Sequence, residues 1–271
     1  MSSFETLKYE HHGAVASVVL SRPDVHDAFD ETVIAELTQV FGQVAQAFHD
    51  RSHAPRVVVL RSTGRHFSAG ADLRWMQAMA DKSEDENKQD ALALAAAFEA
   101  IASCPVPVIA RVQGAALGGG AGLATAAHLA VASTRARFGF TEVRLGILPA
   151  VISPHVINKL GPGPAQALFL TGERFDAERA MQLGLVHRVV EDTELDDAVE
   201  RLVHDLLQGS PQAQAEVGPL VRAVTGKSLE EANPITAEAI ARARASTDGR
   251  EGLAAFLEKR KPAWATGEED A

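Results

Sequence analysis

A single cysteine, Cys104, among 271 residues excludes an internal disulfide framework and any cysteine-rich zinc site. Cys104 precedes Pro105-Val106-Pro107 and is expected as a buried small apolar residue rather than a nucleophile. No run approaches the roughly eighteen uninterrupted apolar residues that a membrane span requires. Met1-Ser2-Ser3-Phe4-Glu5 lacks a basic start followed by an apolar core, so no signal peptide is expected. Positive charge is also in deficit: 26 Lys and Arg stand against 36 Asp and Glu, a net charge of −10. That balance argues against nucleic acid as the main partner. It leaves room for an anionic small ligand, which a few local Arg and Lys residues can hold. The remaining composition, 46% apolar and 23% charged, is that of a globular protein long enough to bury a sizeable core. A soluble protein in a reducing, cytoplasmic setting is expected.

The stretch 105–149 is the most informative. An apolar run, Pro107-Val108-Ile109-Ala110-Arg111-Val112, breaks at Gln113-Gly114 and resumes as Ala115-Ala116-Leu117-Gly118-Gly119-Gly120-Ala121-Gly122-Leu123-Ala124. A β-branched run, clustered glycines and an Ala-rich segment predict a strand–turn–helix corner. Free N–H groups at such a helix start favour negative charge, and the glycines admit a close ligand or backbone. One carboxylate, Glu142, follows about twenty residues later.

Earlier in the chain, residues 7–10 and 14–20 predict a hairpin around His11-His12-Gly13. Asp30 is expected to cap a helix to about Phe48. Residues 56–61 read as a strand, followed by a long loop, 62–72, and a short helix through Leu73, Met76 and Met79. The charged segment 81–90 reads as a mobile surface stretch leading to a helix over 91–103. Strands alternating with helices predict an α/β fold with much parallel pairing. The like layout of 56–80 and 106–126 points to stacked or spiral units rather than a closed barrel.

Beyond Pro149 the pattern turns helical, with one more short strand at 186–190. Asp176 and Ser210 are expected N-caps, the latter before Pro211. Asn233-Pro234 reads as a repeat of that device, and Asp248 with Glu251 as a capping box. Gly218-Pro219 should kink or split its helix. Residues 1–194 are therefore read as the core, and 195–271 as a helical region that packs on the core or on a neighbouring subunit.

The glycine cluster does not give G-x-G-x-x-G, and no G-x-x-x-x-G-K occurs, so a dinucleotide or P-loop site is disfavoured. Phe67-Ser68-Ala69-Gly70-Ala71-Asp72-Leu73 and Gly114-Ala115-Ala116-Leu117-Gly118-Gly119-Gly120 both follow strands and both lead into helices. Two such turns can aim backbone N–H groups at one oxygen, as an oxyanion hole requires.

These blocks resemble the crotonase superfamily of enoyl-CoA hydratases and isomerases. The resemblance extends in order over nearly the whole chain: Ser21-Arg22-Pro23, Glu142 to Pro149, Leu170 to Phe175, Gly184-Leu185-Val186 and Phe256 to Pro262. It implies a crotonase-like spiral of ββα units with a C-terminal helical trimerisation region, assembled as a homotrimer or a dimer of trimers. It implies an acyl-CoA thioester as substrate, with coenzyme A entering as part of that substrate and no metal or redox cofactor. Ala71 N–H and Gly119 N–H correspond to the pair that binds the thioester carbonyl, and Glu142 to the acid–base carboxylate. Ser68, Ala69, Gly70, Asp72 and Leu73 correspond to the segment lying against CoA. Phe256 and Lys259 resemble tail residues reaching the nucleotide end of CoA, often on another subunit. Ala150 stands where the family often has glycine, and its N–H is expected to help hold water.

One departure bears on the chemistry. Hydratases of this family typically carry two glutamates, and the first position is Gly122 here, expected as space for substrate. Hydration needs a water deprotonated and a proton delivered to the α-carbon, which one carboxylate does only by serving both steps. A lone carboxylate suits a Δ3-Δ2-enoyl-CoA isomerase. Against that, Pro149 to Ile157 and Ala69 to Met76 resemble bacterial methylglutaconyl-CoA hydratases and the related isohexenylglutaconyl-CoA hydratases, which share the glycine. Hydration of 3-methylglutaconyl-CoA or a longer β-branched relative is the expectation; a non-catalytic acyl-CoA-binding role is the alternative outside enzymes. Asp72 is expected to fix its loop. Arg74 and Arg144 are candidates for a second substrate carboxylate, or else exposed helix residues. His155 and His187 are candidate proton carriers or structural residues, Asp24-Val25-His26-Asp27 a capping turn rather than a metal site, and Trp264 a packing residue.

Overall fold

The structure, a computed structural model, describes residues 4–50 and 52–265. Met1 to Ser3 of the signal-peptide reading and 266–271 of the helical region lie outside the described residues. The chain opens with an antiparallel hairpin, β1 (Leu7–His12) and β2 (Val15–Leu20), with Leu7 opposite Leu20. Asp30 accepts the Thr32 and Val33 N–H groups and starts α1 (Glu31–His49), the crossover to β3 (Val57–Ser62), which runs parallel to β2. Two helices, α2 (Leu73–Met79) and α3 (Glu84–Ala102), lead to β4 (Val108–Val112). The charged stretch 81–90 is thus mostly helix, against expectation. Ser83 and Glu86 form a reciprocal capping box, which satisfies the first donors of α3 and lets acidic residues sit at its positive end.

After β4 come β5 (Ala115–Leu117), α4 (Gly119–Ala126) and β6 (Leu129–Ser133). The chain continues through β7 (Arg137–Gly139), α5 (Ser153–Leu160), α6 (Pro162–Thr171), β8 (Arg174–Asp176) and α7 (Ala177–Gln182) to β9 (Arg188–Val190). A six-stranded sheet has the order β1-β2-β3-β4-β6-β9, and β5-β7-β8 form a second, three-stranded sheet. The result is an α/β architecture of repeated β–α units with a helical C-terminal segment. Strands buried on both faces are nearly continuous in apolar residues. In β3, Val58 and Leu60 join the main core, while Val57 and Val59 pack against Leu195, Val199 and Leu202 of α8 (Leu195–Leu207).

Three helices complete the chain: α9 (Pro211–Val224), α10 (Leu229–Ala245) and α11 (Thr247–Leu257). Ser210 caps α9 as expected, and α9 continues through Pro219 rather than splitting there. Two sequence expectations fail. Ser228 with Glu231 caps α10, leaving Pro234 inside its first turns, and Ser246 rather than Asp248 caps α11. Asp248 instead accepts from the Ser210 hydroxyl at 2.7 Å and the Gln212 N–H at 3.3 Å, so it ties α11 to α9. No helix among the described residues is long and apolar enough to cross a membrane.

Candidate active site

The loop after β3 is held from below by the turn before α1. Ala69 N–H donates to His26 O at 3.0 Å, and Phe29 and Ala71 form an isolated parallel bridge. Arg22 reaches across with Nη2 to both Asp72 Oδ2 (3.0 Å) and Asp30 Oδ2 (2.9 Å), while Nη1 donates to Ala28 O. Asp72, 7% exposed, accepts the Arg74 N–H at 2.8 Å and starts α2. Its part is to fix the loop, as its residue type suggested.

The second corner lies beside the first because β5 borrows Ser68 as a neighbour. Ser68 N–H donates to Ala115 O and Leu117 N–H donates to Ser68 O, both at 3.1 Å. Gly70 then turns at φ +90°, and a Cβ there would meet Leu117 O at 2.6 Å and stand 3.5 Å from Gly119 N. Only glycine tolerates that backbone and that approach. Among the described residues neither Ala71 N–H nor Gly119 N–H donates to a protein acceptor. Both are therefore free donors on adjoining turns, one of them at the positive end of α4.

Pairing of β5 with β7 brings in the acid. Leu117 is opposite Gly139, and Gly118 N–H donates to Gly139 O at 2.8 Å. Three residues on, Glu142 begins a 3-10 turn, Glu142–Leu145. Its Oε1 lies 3.3 Å from the place a Gly118 Cβ would take. Its Oε2 is buried and has no hydrogen-bond partner among the described residues. Burial raises the Glu142 carboxyl above the ordinary glutamate range, the bond from its own N–H opposing this. The arrangement is two open backbone donors beside one carboxylate whose proton affinity has been increased. It can stabilise a developing oxyanion and move a proton nearby.

Residues 10–267 match the enoyl-CoA hydratase/isomerase family. The chain belongs to that family. It is an enzyme of the enoyl-CoA hydratase type, and its likeness to relatives is end to end. It is 30% identical to a crotonyl-CoA hydratase of Syntrophomonas wolfei over 260 residues, 96% of this chain and 97% of the relative. With a carnitinyl-CoA dehydratase of Proteus mirabilis it shares 31% identity over 268 residues, 96% and 98% of the two chains. The crystal structure of an enoyl-CoA hydratase from Shewanella pealeana superposes with a TM-score of 0.91 at 40% identity, covering 96% of each chain.

Other residues singled out in the sequence fall in less direct places. Ser68 is wholly buried, and its hydroxyl accepts the Gly70 N–H at 3.2 Å; it shapes the loop instead of facing a ligand. Ala69 is half-buried, Leu73 is 80% exposed at the start of α2, and Ala150 is exposed, its carbonyl bound by the Ser153 N–H and hydroxyl. Gly122 corrects an expectation. A Cβ there would meet Ile152 Cγ2 at 2.5 Å and Phe98 Cζ at 3.1 Å. The volume is filled by two buried apolar side chains and is not open to substrate. Phe256 and Lys259 are exposed, on α11 and just past it, and α11 packs on α9 and α10.

Arg74 and Arg144 are exposed. His187 Nδ1 accepts the Ala130 N–H at 3.0 Å, which makes it structural. Asp27 is occupied with the N–H groups of Arg22 and Gly64. No cluster of metal-ligating groups exists among the described residues. Burial pushes the Cys104 thiol up to about 11, which disarms it as a nucleophile. Trp264 donates to Gln208 O and lies against Gly252. Sequence reasoning missed Arg22 as the loop's clamp and Phe98 with Ile152 as the filling at Gly122. For Arg22 the only signal was its place before Pro23; for the other two there was none.

Proposed function

We propose that this chain adds water across the 2,3 double bond of an α,β-unsaturated acyl-CoA that is β-branched or carboxylated, such as 3-methylglutaconyl-CoA. The thioester oxygen is held by Ala71 N–H and Gly119 N–H. Glu142 takes a proton from water as its oxygen bonds to C3, and the double-bond electrons move to the thioester as an enolate. The same carboxyl returns that proton to C2, so one residue serves as base and then acid and the atoms balance. A single oxyanion-hole donor is typically worth roughly 10²–10³ in rate. The observation that carries this reading is the buried, unpartnered Glu142 oxygen beside the open N–H groups. The apolar filling at Gly122 leaves both proton transfers to Glu142, since no second carboxylate enters from α4 there. The acyl group is argued from the resemblance of 149–157 and 69–76 to methylglutaconyl-CoA hydratases.

Assembly belongs to the same proposal. A groove of about 1140 Å³ runs along α9–α11, lined by Val217, Leu220, Ala237, Ile240 and Leu253, away from Glu142. Its apolar lining fits a second copy of this chain, in a trimer or a dimer of trimers, with Phe256 and Lys259 turned toward a neighbour's CoA. An isomerase is the second reading, favoured by the lone carboxylate. Reaction of straight, branched and carboxylated enoyl-CoA esters in ¹⁸O-labelled water separates the two. Expected is one label in a 3-hydroxyacyl-CoA, with Glu142→Gln lowering turnover by about 10²–10⁴. A shifted double bond without label means an isomerase. Near-normal turnover by the variant refutes the role of Glu142, and inertness toward the whole panel supports a binding protein.

A further inference from the structure

Lys159, near the end of α5, places its ammonium against the far end of α4. Nζ donates to Thr125 O at 3.1 Å and Ala127 O at 2.6 Å. These carbonyls close the eight-residue helix whose first N–H is that of Gly119, the residue after Gly118, beside which Glu142 lies. No ion pair between Lys159 and a carboxylate is formed among the described residues. The titratable groups around it are His128, His155 and His187, with Glu99 beyond His155 and Arg222 beyond His128. His128 Nδ1 accepts the Val108 N–H at 2.9 Å and His187 Nδ1 accepts the Ala130 N–H at 3.0 Å. An imidazole accepting at one nitrogen is neutral, and burial lowers the pKa of all three histidines. Lys159 is thus the cation seated directly on the closing carbonyls of α4.

We propose that Lys159 is a positioning residue for the hydration: it ties down the last turn of α4 and, through its charge, strengthens the positive end of that helix at the oxyanion. The inference rests on the reading of Gly119 N–H as an oxyanion donor. An eight-residue helix is about 12 Å long, and its C-terminal carbonyls carry roughly half a negative charge that opposes the field at its start. An ammonium on those carbonyls outweighs them. It also fixes the axis along which the Gly119 N–H points, and misplacement of a donor by about 1 Å is costly. Burial without an acidic partner brings the Lys159 ammonium down to about 8. Its charge is present at neutral pH and lost as pH rises through that value, so turnover declines there.

The test is kcat and KM against pH, with 3-methylglutaconyl-CoA and crotonyl-CoA, for the wild type, Lys159→Arg and Lys159→Met, with Tm measured alongside. Expected is a wild-type kcat that falls above about pH 8, the ordinary lysine falling only near 10. Arg, charged throughout this range, recovers the neutral rate to within about threefold and removes the decline. Met lowers kcat about tenfold with KM nearly unchanged, on the order of one helix-end charge interaction. Should Met fail to fold, the Arg profile decides. Identical wild-type and Arg profiles, or a Met variant with lowered Tm and unchanged kcat, overturn the proposal. A wild type inert toward both esters overturns the hydratase reading instead.

Discussion

Around Gly118 the chain leaves no spare room. A Cβ on Gly119 would lie 2.0 Å from Phe29 Cζ, one on Gly120 2.3 Å from Ser68 O, and one on Gly122 2.5 Å from Ile152. In α9 and α10, by contrast, no residue is buried, and Val217, Val221 and Ile240 are left exposed. Both regions are rich in small and apolar residues, and they use them oppositely. The corner spends its glycines on bringing three backbone segments into contact, which fixes two N–H donors beside one acid. The helices hold their apolar faces in reserve, and an unmatched apolar face of this kind fits the subunit contact proposed above.

Substitutions that fill or charge these regions break the contrast in graded ways. Gly118→Ala is expected to have the largest effect. Gly118 has φ +51°, and the added methyl would press on Glu142, so both strain and displacement act. A kcat loss of about 10²–10³ is expected, the worth of a misplaced oxyanion donor, with the circular dichroism unchanged; a fully active variant would show the corner to be looser than drawn. Gly122→Glu comes next. Overpacking costs about 1–3 kcal/mol, which thermal unfolding reads as a lowered Tm. Adding Ile152→Ala should recover part of it, and a Gly122→Glu variant as stable as wild type would mean that the filling yields easily. The smallest effect on the fold is expected from Ile240→Asp, about 0.5 kcal/mol or less for an exposed site. Sedimentation should nevertheless show dissociation of the oligomer proposed above. An unchanged mass would mean that the groove on α9–α11 faces water and that assembly uses another surface.

Much of this was legible in the residues. The caps at Asp30, Asp176 and Ser210 stand where residue type and spacing suggested, since an N-cap acts over three or four neighbours and needs nothing distant. The charged run 81–90 misled because it lacks an apolar stripe, although Ser83 and Glu86 already had capping-box spacing. Asp248 misled in the other direction: spacing fitted a cap, yet Ser210 claims its carboxylate across 38 positions. The second sheet went unread because β5, β7 and β8 are three residues each, too short for any period to show.

From order and local spacing alone, the chain determines its strand–helix alternation, its two glycine-bearing turns and the existence of a carboxylate downstream of them. Only the folded chain decides that Glu142 lies over Gly118, that Ile152 closes the space at Gly122 and that Lys159 grips the far end of α4. Each of those contacts joins segments brought together by sheet pairing or helix packing, and side-chain burial is a property of such meetings. No residue's own neighbours in sequence could supply the desolvation that raises Glu142.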